Sequence, residues 1–235
     1  MEKINKLRKI LKREKIDGYL IPKNNEFFGE YVQDYNDRLN YISNFNGSYG
    51  FALILKKKNY LFVDGRYTLQ ANKQSGNFFK IITFPKQMPF NLLRKKKYLI
   101  GFDPKVLTKK TLQIFFAKSN CKFKPFNENL VDEIWKRKIP KNKNKFFILP
   151  GHSVGENYKS KINKVVSYLK NKGADFQFIT ASENNAWLLN IRGRDSEYSP
   201  LPDSYILIDK NKKVDFFCDL KKVTTSFKKK FKHVN

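Results

Sequence analysis

The residue types that most often perform catalysis are few and far apart in this sequence. It contains two histidines, His152 in the turn-like run PGHS and His233 near the C-terminal end. A zinc or manganese site needs three or more His, Cys or carboxylate ligands close together, and neither histidine has such neighbours in the sequence. HExxH and CxxC motifs are absent, and the run GHSVG lacks the Lys-Ser/Thr pair of a phosphate-binding loop. We therefore predict no catalytic, cofactor-binding or metal-binding residue in this chain.

The cysteines and the N-terminal residues indicate the cellular compartment of the protein. Cys121 and Cys218 have apolar or mixed flanks and no recognisable spacing, so we predict that both are buried free thiols in a reducing environment. The first 15 residues (MEKINKLRKILKREK) have helical periodicity but no apolar core of the kind found in signal peptides. No run approaches the roughly 18 to 20 apolar residues that span a bilayer. These features predict a cytoplasmic protein with no membrane partner.

Three short runs combine charged or aromatic residues with turn signals. The first is residues 64–67 (DGRY), where a predicted strand ends and a helix begins. Asp64 can accept backbone N–H groups or pair with Arg66, and Gly65 permits a tight turn. Arg66 and Tyr67 would lie beside it. We favour a structural corner here over a subunit or substrate contact.

The second run is residues 190–195 (NIRGRD), which follow a predicted helix that contains Trp187. Asn190 would lie at the end of that helix. Either Arg192 or Arg194 can reach a substrate or an adjoining domain. We favour a structural role or a domain contact over substrate binding.

The third run is residues 130–135 (LVDEIW), which we predict to be a short amphipathic helix. Trp135 is expected to pack across a junction between two modules. Asp132 and Glu133 are a poor catalytic pair, because adjacent residues of a helix do not face each other.

The chain nearly repeats itself, and the matched segments include Asp64 of the first run and residues 190–193 of the second. Residues 41–47 (YISNFNG) match residues 187–193 (WLLNIRG) in the order aromatic, apolar, Asn, apolar and Gly. Upstream, residues 11–22 (LKREKIDGYLIP) match residues 169–180 (LKNKGADFQFIT). Downstream, residues 51–64 match residues 205–219 as two apolar runs around a Lys/Asn turn. This shared order predicts two copies of one α/β unit.

Periodicity and turn signals place helices between strands in both copies. In the first copy we predict helices over 3–15, 38–45, 66–74 and 108–118, and strands over 18–22, 50–55, 60–63, 79–84, 98–102 and 122–126. In the second copy we predict helices over 156–172 and 182–189, a strand over 176–179 and a hairpin around Tyr205 and Phe216. The predicted fold class is α/β, with two tandem related domains, each a mixed β-sheet flanked by helices.

The predicted domains are residues 1–135, a basic linker at 136–145 and residues 146–235. The linker is polar and carries Pro140. Since the second copy stops after its hairpin, we expect it to be truncated. Tyr205, Leu207, Phe216 and Cys218 would then form an uncovered apolar face, next to an unpaired strand edge that recruits other chains.

The charge is extreme but does not indicate a specific nucleic-acid partner. The formal net charge is +27, with 48 basic and 21 acidic residues. Only eight of the basic residues are Arg, which reads phosphates and bases better than Lys does. The lysines are spread along the chain, so we interpret most of them as solvated surface.

In several short runs the chain resembles soluble Xaa-Pro aminopeptidase (aminopeptidase P), a family similar to creatinase and prolidase. The matching runs are in the same order and extend over almost the whole chain. They are residues 17–22 (DGYLIP), 30–32 (EYV), 38–39 (RL), 45–50 (FNGSYG), 62–70 (FVDGRYTLQ), 129–135 (NLVDEIW) and 186–193 (AWLLNIRG). The resemblance implies two creatinase N-terminal-like domains, followed in the family by a catalytic domain with the pita-bread fold.

The resemblance also implies where the chemistry resides. In the family two divalent metals, usually manganese, are held by two Asp, one His and two Glu of the third domain, and none of these ligands maps onto this chain. We expect the non-catalytic N-terminal region of an enzyme that removes the residue before proline, inactive by itself. The alternative is a binding or assembly module of the same fold. Expected partners are a second copy or the catalytic domain, with peptide substrate only in the full-length enzyme.

Overall fold

The chain forms two units in the computed structural model, which describes residues 1–139 and 144–235. The first unit comprises Met1–Asn25 and Asp34–Ile139, and the second comprises Glu26–Gln33 and Pro140–Asn235. The middle of the predicted linker, residues 140–143, lies outside the described residues. The predicted domain limits stay predictions.

The first unit alternates helices and strands along the chain. Its elements are α1 (Glu2–Arg13), β1 (Gly18–Pro22), α2 (Arg38–Ser43), β2 (Gly50–Leu55), β3 (Asn59–Asp64), α3 (Thr68–Ser75), β4 (Lys80–Phe84), α4 (Pro89–Leu93), β5 (Leu99–Phe102), α5 (Lys109–Phe116) and β6 (Lys122–Pro125), with 3-10 turns at Asp34–Asn36 and Gly65–Tyr67. Helix α4, which is one turn long, was not predicted from the sequence.

A six-stranded sheet in the order β4-β3-β2-β1-β5-β6 forms the centre of this unit. The β1–β2 and β2–β3 pairs are antiparallel, whereas β3–β4, β1–β5 and β5–β6 are parallel. Leu7 of α1 and Leu39 of α2 belong to one buried cluster, and Leu112, Phe115 and Phe116 of α5 belong to another. Successive residues of β2 alternate between the two clusters, as expected for side chains that point to opposite faces. The predicted mixed sheet covered on both faces is confirmed.

Two local predictions in this unit are wrong. The helix predicted over 38–45 ends at Ser43, because Asn44 adopts the left-handed conformation (φ 63°) that stops the helix. The run 130–135 is a series of turns and not a helix. In this run the N–H of Asp132 donates to the Asn129 carbonyl (2.9 Å), and the N–H of Ile134 donates to the Val131 carbonyl (3.1 Å).

The second unit has a smaller sheet. Its elements are β7 (Phe147–Ile148), α6 (Tyr158–Asn171), β8 (Phe176–Ile179), α7 (Ser182–Leu189), β9 (Ile191–Arg192), β10 (Ser204–Asp209), β11 (Val214–Cys218) and α8 (Thr225–Lys230), with 3-10 turns at Gly151–Ser153 and Leu220–Lys222. Three strands in the order β11-β10-β8 are antiparallel, and β7 pairs with β9. A single parallel bridge joins Val214 to Val234.

The sheet register corrects the predicted apolar face of this unit. Phe216 pairs with Ile206, and Tyr205 pairs with Phe217. Neighbouring residues of a strand point to opposite faces, so Phe216 and Tyr205 are on different faces of the sheet. Phe216 is buried in the core, and the predicted single face of Tyr205, Leu207, Phe216 and Cys218 does not exist.

The cysteines are also less enclosed than predicted. Cys121 and Cys218 are both free thiols, and each is half-buried rather than buried. Partial burial and the neighbouring Asp219 carboxylate raise the pKa of Cys218 to about 11, which keeps it a neutral thiol at physiological pH. No helix among the described residues is long and apolar enough to cross a membrane.

Candidate functional site

The corner at residues 64–67 is built around the Asp64 carboxylate at the end of β3. One of its oxygens accepts the backbone N–H of Arg66 (3.0 Å) and the Nε–H of the same residue (2.8 Å). These bonds hold the pKa of Asp64 below its usual range. Both contacts that the sequence suggested for Asp64 are therefore present, and the Arg66 side chain is largely exposed.

Tyr67 and three amide side chains extend this corner. The Tyr67 hydroxyl lies 2.8 Å from Ser48 Oγ, in the loop before β2. In the same region Asn46 Oδ1 accepts hydrogen bonds from Gln70 (2.6 Å) and Gln74 (2.9 Å) of α3. The i, i+4 spacing of the two glutamines is the signal that the sequence analysis missed. The corner therefore presents hydroxyl and amide groups that form hydrogen bonds with one another.

In the second unit, Asn190 ends α7 with the same left-handed backbone that Asn44 gives α2. Its φ is 55°, against 63° at Asn44. The Asn190 side chain donates to the Glu156 carbonyl (2.9 Å) and accepts from Lys161 Nζ (2.6 Å). The repeat found in the sequence therefore extends to an unusual backbone conformation.

A lysine and an aromatic ring make the same contact in both units. Lys3 Nζ donates to the Tyr41 carbonyl (2.8 Å) and lies 4.6 Å from the centre of the Tyr41 ring. Lys161 Nζ donates to the Trp187 carbonyl (2.7 Å) and lies 4.3 Å from the centre of that ring. The attraction between the ammonium group and the ring adds to the stabilisation from the hydrogen bond. The two lysines correspond in the repeat, but neither was predicted as a site residue.

We expect Lys161→Met to lower the free energy of unfolding by about 1 to 3 kcal/mol, because it leaves acceptors on Trp187 and Asn190 without their donor. Denaturant unfolding of the purified chain measures the change. Lys164→Met, one turn along the same helix at a largely exposed position, is the matched control and should change stability little. Equal effects of the two variants would show that the Lys161 contact is not structural.

The predicted arginines of this corner have different surroundings. Arg192 Nη1 donates to the carbonyls of Ile191 (2.8 Å) and Ala186 (3.4 Å), so it bonds to the backbone of its own corner. Arg194 is exposed. Between them, Gly193 is required by close packing, since an added Cβ would lie 2.7 Å from the Leu201 carbonyl oxygen. These observations favour the structural interpretation of residues 190–195.

Trp135 packs within the first unit. Its ring stacks on Tyr41 with 4.6 Å between ring centres and 14° between planes. The predicted contact with the second module stays a prediction. Asp132 accepts from Arg38 (2.8 Å) and Arg137 (2.9 Å), whereas Glu133 pairs with Arg13, so each carboxylate of this run is engaged by arginine.

A group of buried charged residues in the second unit escaped the sequence analysis. Lys222 forms an ion pair with Asp195, and both side chains are almost fully buried. Asp195 also accepts the backbone N–H of Asp203 (2.9 Å), and Gln33 donates to Asp203 (3.3 Å). Burial, reinforced by the nearby Asp195 charge, raises the pKa of Asp203 to about 7. This group has no distinctive spacing, because its members are far apart in the sequence.

Residues 151–155 (GHSVG) match the Gly-x-Ser-x-Gly spacing of a nucleophile elbow, which the sequence analysis overlooked. The structure does not support that role. Ser153 is in a 3-10 turn and has no positive φ, and added Cβ atoms at Gly151 and Gly155 would meet nothing within 4 Å. Across residues 1–139 and 144–235, no three His, Cys, Asp or Glu side chains are grouped so as to hold a metal ion. The described residues thus do not fit a metal pair.

Comparison with known proteins assigns both parts of the chain to one family. Family models described as the creatinase/prolidase N-terminal domain match residues 3–134 and residues 137–235. A probable Xaa-Pro aminopeptidase P from Coprinopsis cinerea is 32% identical over 89% of this chain, which corresponds to 36% of that protein. Xaa-Pro aminopeptidase 1 from Dictyostelium discoideum is 29% identical over 97% of this chain and 39% of its own length.

A solved structure agrees with these relatives. The X-prolyl aminopeptidase of Caenorhabditis elegans, described as a cytosolic enzyme with a di-nuclear active site, superposes with a TM-score of 0.90 and 27% identity. That match covers all of this chain and 41% of the other. The chain therefore spans about two fifths of the length of the relatives it matches, and it aligns with their N-terminal region. It belongs to the creatinase/prolidase N-terminal domain family, as two tandem domains.

Proposed function

We propose that this chain is the non-catalytic N-terminal region of a metal-dependent Xaa-Pro aminopeptidase, an enzyme that removes the N-terminal residue preceding proline. The observation that carries the proposal is the superposition of the whole chain on 41% of the nematode X-prolyl aminopeptidase. Substrate peptide and the metal pair, manganese, would then be bound outside these residues. A cytoplasmic location and a homodimer are part of the same proposal.

The hydrogen bonds of the corners at residues 64–67 and 190–195 support a role in contacts with another subunit or with the substrate entrance. Asp64, Arg66 and Tyr67 are tied into hydrogen bonds of their own corner, as Asn190 and Arg192 are in theirs. None of these groups is placed as an acid–base pair. In the complete enzyme such corners would contribute walls of the substrate entrance or subunit contacts.

The isolated chain is expected to release no amino acid from an Xaa-Pro tripeptide in the presence of Mn²⁺. The reason is that its described residues bring no metal-ligand group together. The assay uses chain purified from a host lacking its own Xaa-Pro aminopeptidase, with buffer plus Mn²⁺ as the blank. Turnover above the blank that a chelator abolishes would overturn the non-catalytic assignment.

The alternative is a stand-alone binding or assembly module. It is favoured by the fact that each unit contains its own buried apolar clusters. Under this alternative the chain by itself would be monodisperse and cooperatively folded, and would bind a longer relative without peptidase activity. Sedimentation velocity, with and without such a relative, separates the two proposals.

Nucleic-acid binding is expected to be weak and non-specific despite the net charge of +27. Scattered lysines neutralise phosphates without reading bases, so affinity should fall steeply as salt rises. Fluorescence anisotropy with two unrelated DNA duplexes at several salt concentrations measures this. Sequence-selective, nanomolar binding at physiological salt would contradict the expectation.

A further inference from the structure

Asn46 and Gly47 form the one Asn-Gly pair in the sequence, and they lie in the connection between α2 and β2. In such a pair the backbone nitrogen of the glycine can attack the side-chain amide carbon of the asparagine, because glycine has no side chain to obstruct the approach. Asn46 is exposed and belongs to neither a helix nor a strand. Among the described residues, no acceptor is bonded to the Gly47 N–H. The attacking nitrogen is therefore not engaged elsewhere in the first unit.

Packing keeps a glycine at position 47. A Cβ atom added there would lie 2.3 Å from Cζ of the Phe45 ring. Phe45 is fully buried in the core of the first unit, and its ring packs edge-on against Tyr67 with 5.9 Å between the ring centres. A close-packed core gives such a ring no room to move away. The fold thus requires, directly after Asn46, the residue that makes an asparagine side chain most reactive.

Two glutamines of α3 polarise the carbonyl group that this nitrogen would attack. Asn46 Oδ1 accepts hydrogen bonds from Gln70 Nε2 (2.6 Å) and from Gln74 Nε2 (2.9 Å). Gln74 Oε1 in turn accepts the backbone N–H of Asn46 (3.3 Å), so this glutamine binds the residue at both its main chain and its side chain. Donors fixed at a carbonyl oxygen stabilise the negative charge that develops there when a nucleophile adds to the carbon. The two glutamines are placed as such donors.

We propose that Asn46 is a site of spontaneous deamidation in this chain, and that Gln70 and Gln74 promote the reaction. The Gly47 nitrogen forms a bond to Asn46 Cγ and loses its proton, and the Cγ–Nδ2 bond breaks as ammonia leaves with that proton. Water then adds to the cyclic imide, breaks one of its two C–N bonds to the Gly47 nitrogen and leaves a carboxylate at position 46. Water is the only co-reactant, and no electrons are gained or lost.

The reaction would change the charge of the corner around Tyr67. Asn46 is bonded to α3, which begins directly after Tyr67, and the Tyr67 hydroxyl lies 2.8 Å from Ser48 Oγ, two residues beyond Asn46. A carboxylate at position 46 would be the new negative charge in this corner of a chain whose net charge is +27. The modified chain is therefore separable from the parent by cation exchange. The proposal is independent of the peptidase assignment, because the reaction uses only residues of the first unit and water.

The test follows the whole chain during incubation at neutral and at mildly alkaline pH. Cation exchange separates the acidic form, and peptide mass spectrometry locates the replacement of NH2 by OH. The reference is a capped synthetic peptide with the sequence of residues 43–50 (SNFNGSYG), which has the Asn-Gly pair but not the glutamines. We expect Asn46 to be converted faster in the chain than in the peptide. Asn44, which is also exposed but is followed by Phe45, is the internal control and should stay intact.

Removing both donors tests the role of the glutamines. Gln70→Met combined with Gln74→Met should slow the reaction about tenfold, less than the roughly hundredfold that one donor contributes in a buried site, because Asn46 is exposed. Gln113→Met, at an exposed position of α5, is the matched control and should leave the rate unchanged. Thermal unfolding verifies that each variant is folded.

Two results would overturn the proposal. The first is a rate at Asn46 in the chain that is equal to or lower than the rate in the peptide, because the fold would then protect the amide. The second is an unchanged or higher rate in the double glutamine variant, because the two hydrogen bonds would then immobilise the amide instead of activating it. Faster conversion in the chain together with a slower double variant would support it.

Discussion

Replacing Lys222 with methionine is expected to lower the free energy of unfolding of the second unit by about 3 to 5 kcal/mol. Lys222 and Asp195 form an ion pair in which the side chains are 11% and 2% exposed. Removing the cation leaves the Asp195 carboxylate buried beside Asp203, a second acidic residue. The destabilisation arises from the uncompensated buried charge and not from the small net gain of the pair itself.

Denaturant unfolding followed by Trp187 fluorescence measures this effect in a Trp135→Phe background. Lys210→Met, which breaks the exposed Lys210–Asp175 pair, is the control and should leave stability nearly unchanged. Adding Asp195→Asn to Lys222→Met should recover part of the loss, since position 195 then carries no buried charge. If Lys222→Met behaves like Lys210→Met, the buried pair is not a determinant of this fold.

Asp203→Asn is expected to stabilise the chain at pH 8 by about 4 kcal/mol and to have little effect near pH 4. The folded-state pKa of Asp203, about 7, lies above its ordinary value of 3.8. The folded protein therefore keeps a proton that the unfolded chain releases between about pH 4 and pH 7. Stability falls as pH rises through that window and becomes constant above it, because both states are then ionised.

The free energy of unfolding, measured at intervals from pH 4 to pH 8.5, gives this dependence directly. The asparagine variant should lack the decline between about pH 4 and pH 7 that the parent shows. Asp175→Asn removes an exposed carboxyl group and serves as the control, with the decline retained. A parent curve that runs parallel to that of the asparagine variant through this window would mean that Asp203 is ionised without cost in the folded state.

Residues 26–33 illustrate a limit of sequence reasoning. They fall inside the predicted first domain, residues 1–135, whereas the structure groups them with the second unit. Phe27 stacks on Tyr205 with 5.0 Å between ring centres, and Gln33 donates to the Asp195 carbonyl and to Asp203. These contacts join residues more than 160 positions apart. No local pattern in residues 26–33 indicates them.

Local features, in contrast, were predictable because they depend on neighbouring residues. Thr108 accepts the Thr111 N–H and begins α5 as predicted, and Leu112, Phe115 and Phe116 are buried at helical spacing. Asp64 bonds to Arg66 two positions away. The end of the helix predicted over 38–45 was misplaced because Asn44 and Asn46 both suit a left-handed cap, and only the structure shows that Asn44 adopts it, with φ 63°.

The sequence by itself determined the internal repeat, the α/β class and the corners at Asp64 and Asn190, since hydrophobic periodicity and turn residues act over a few positions. Only the tertiary structure decided which strand faces are buried and which lysines are paired. The register of a strand determines which face of the sheet each side chain lies on. That register is set by pairing with strands that are distant in the sequence. Burial in the folded chain raises the pKa of Asp203. The buried Lys222–Asp195 ion pair likewise forms only when folding brings the two residues together.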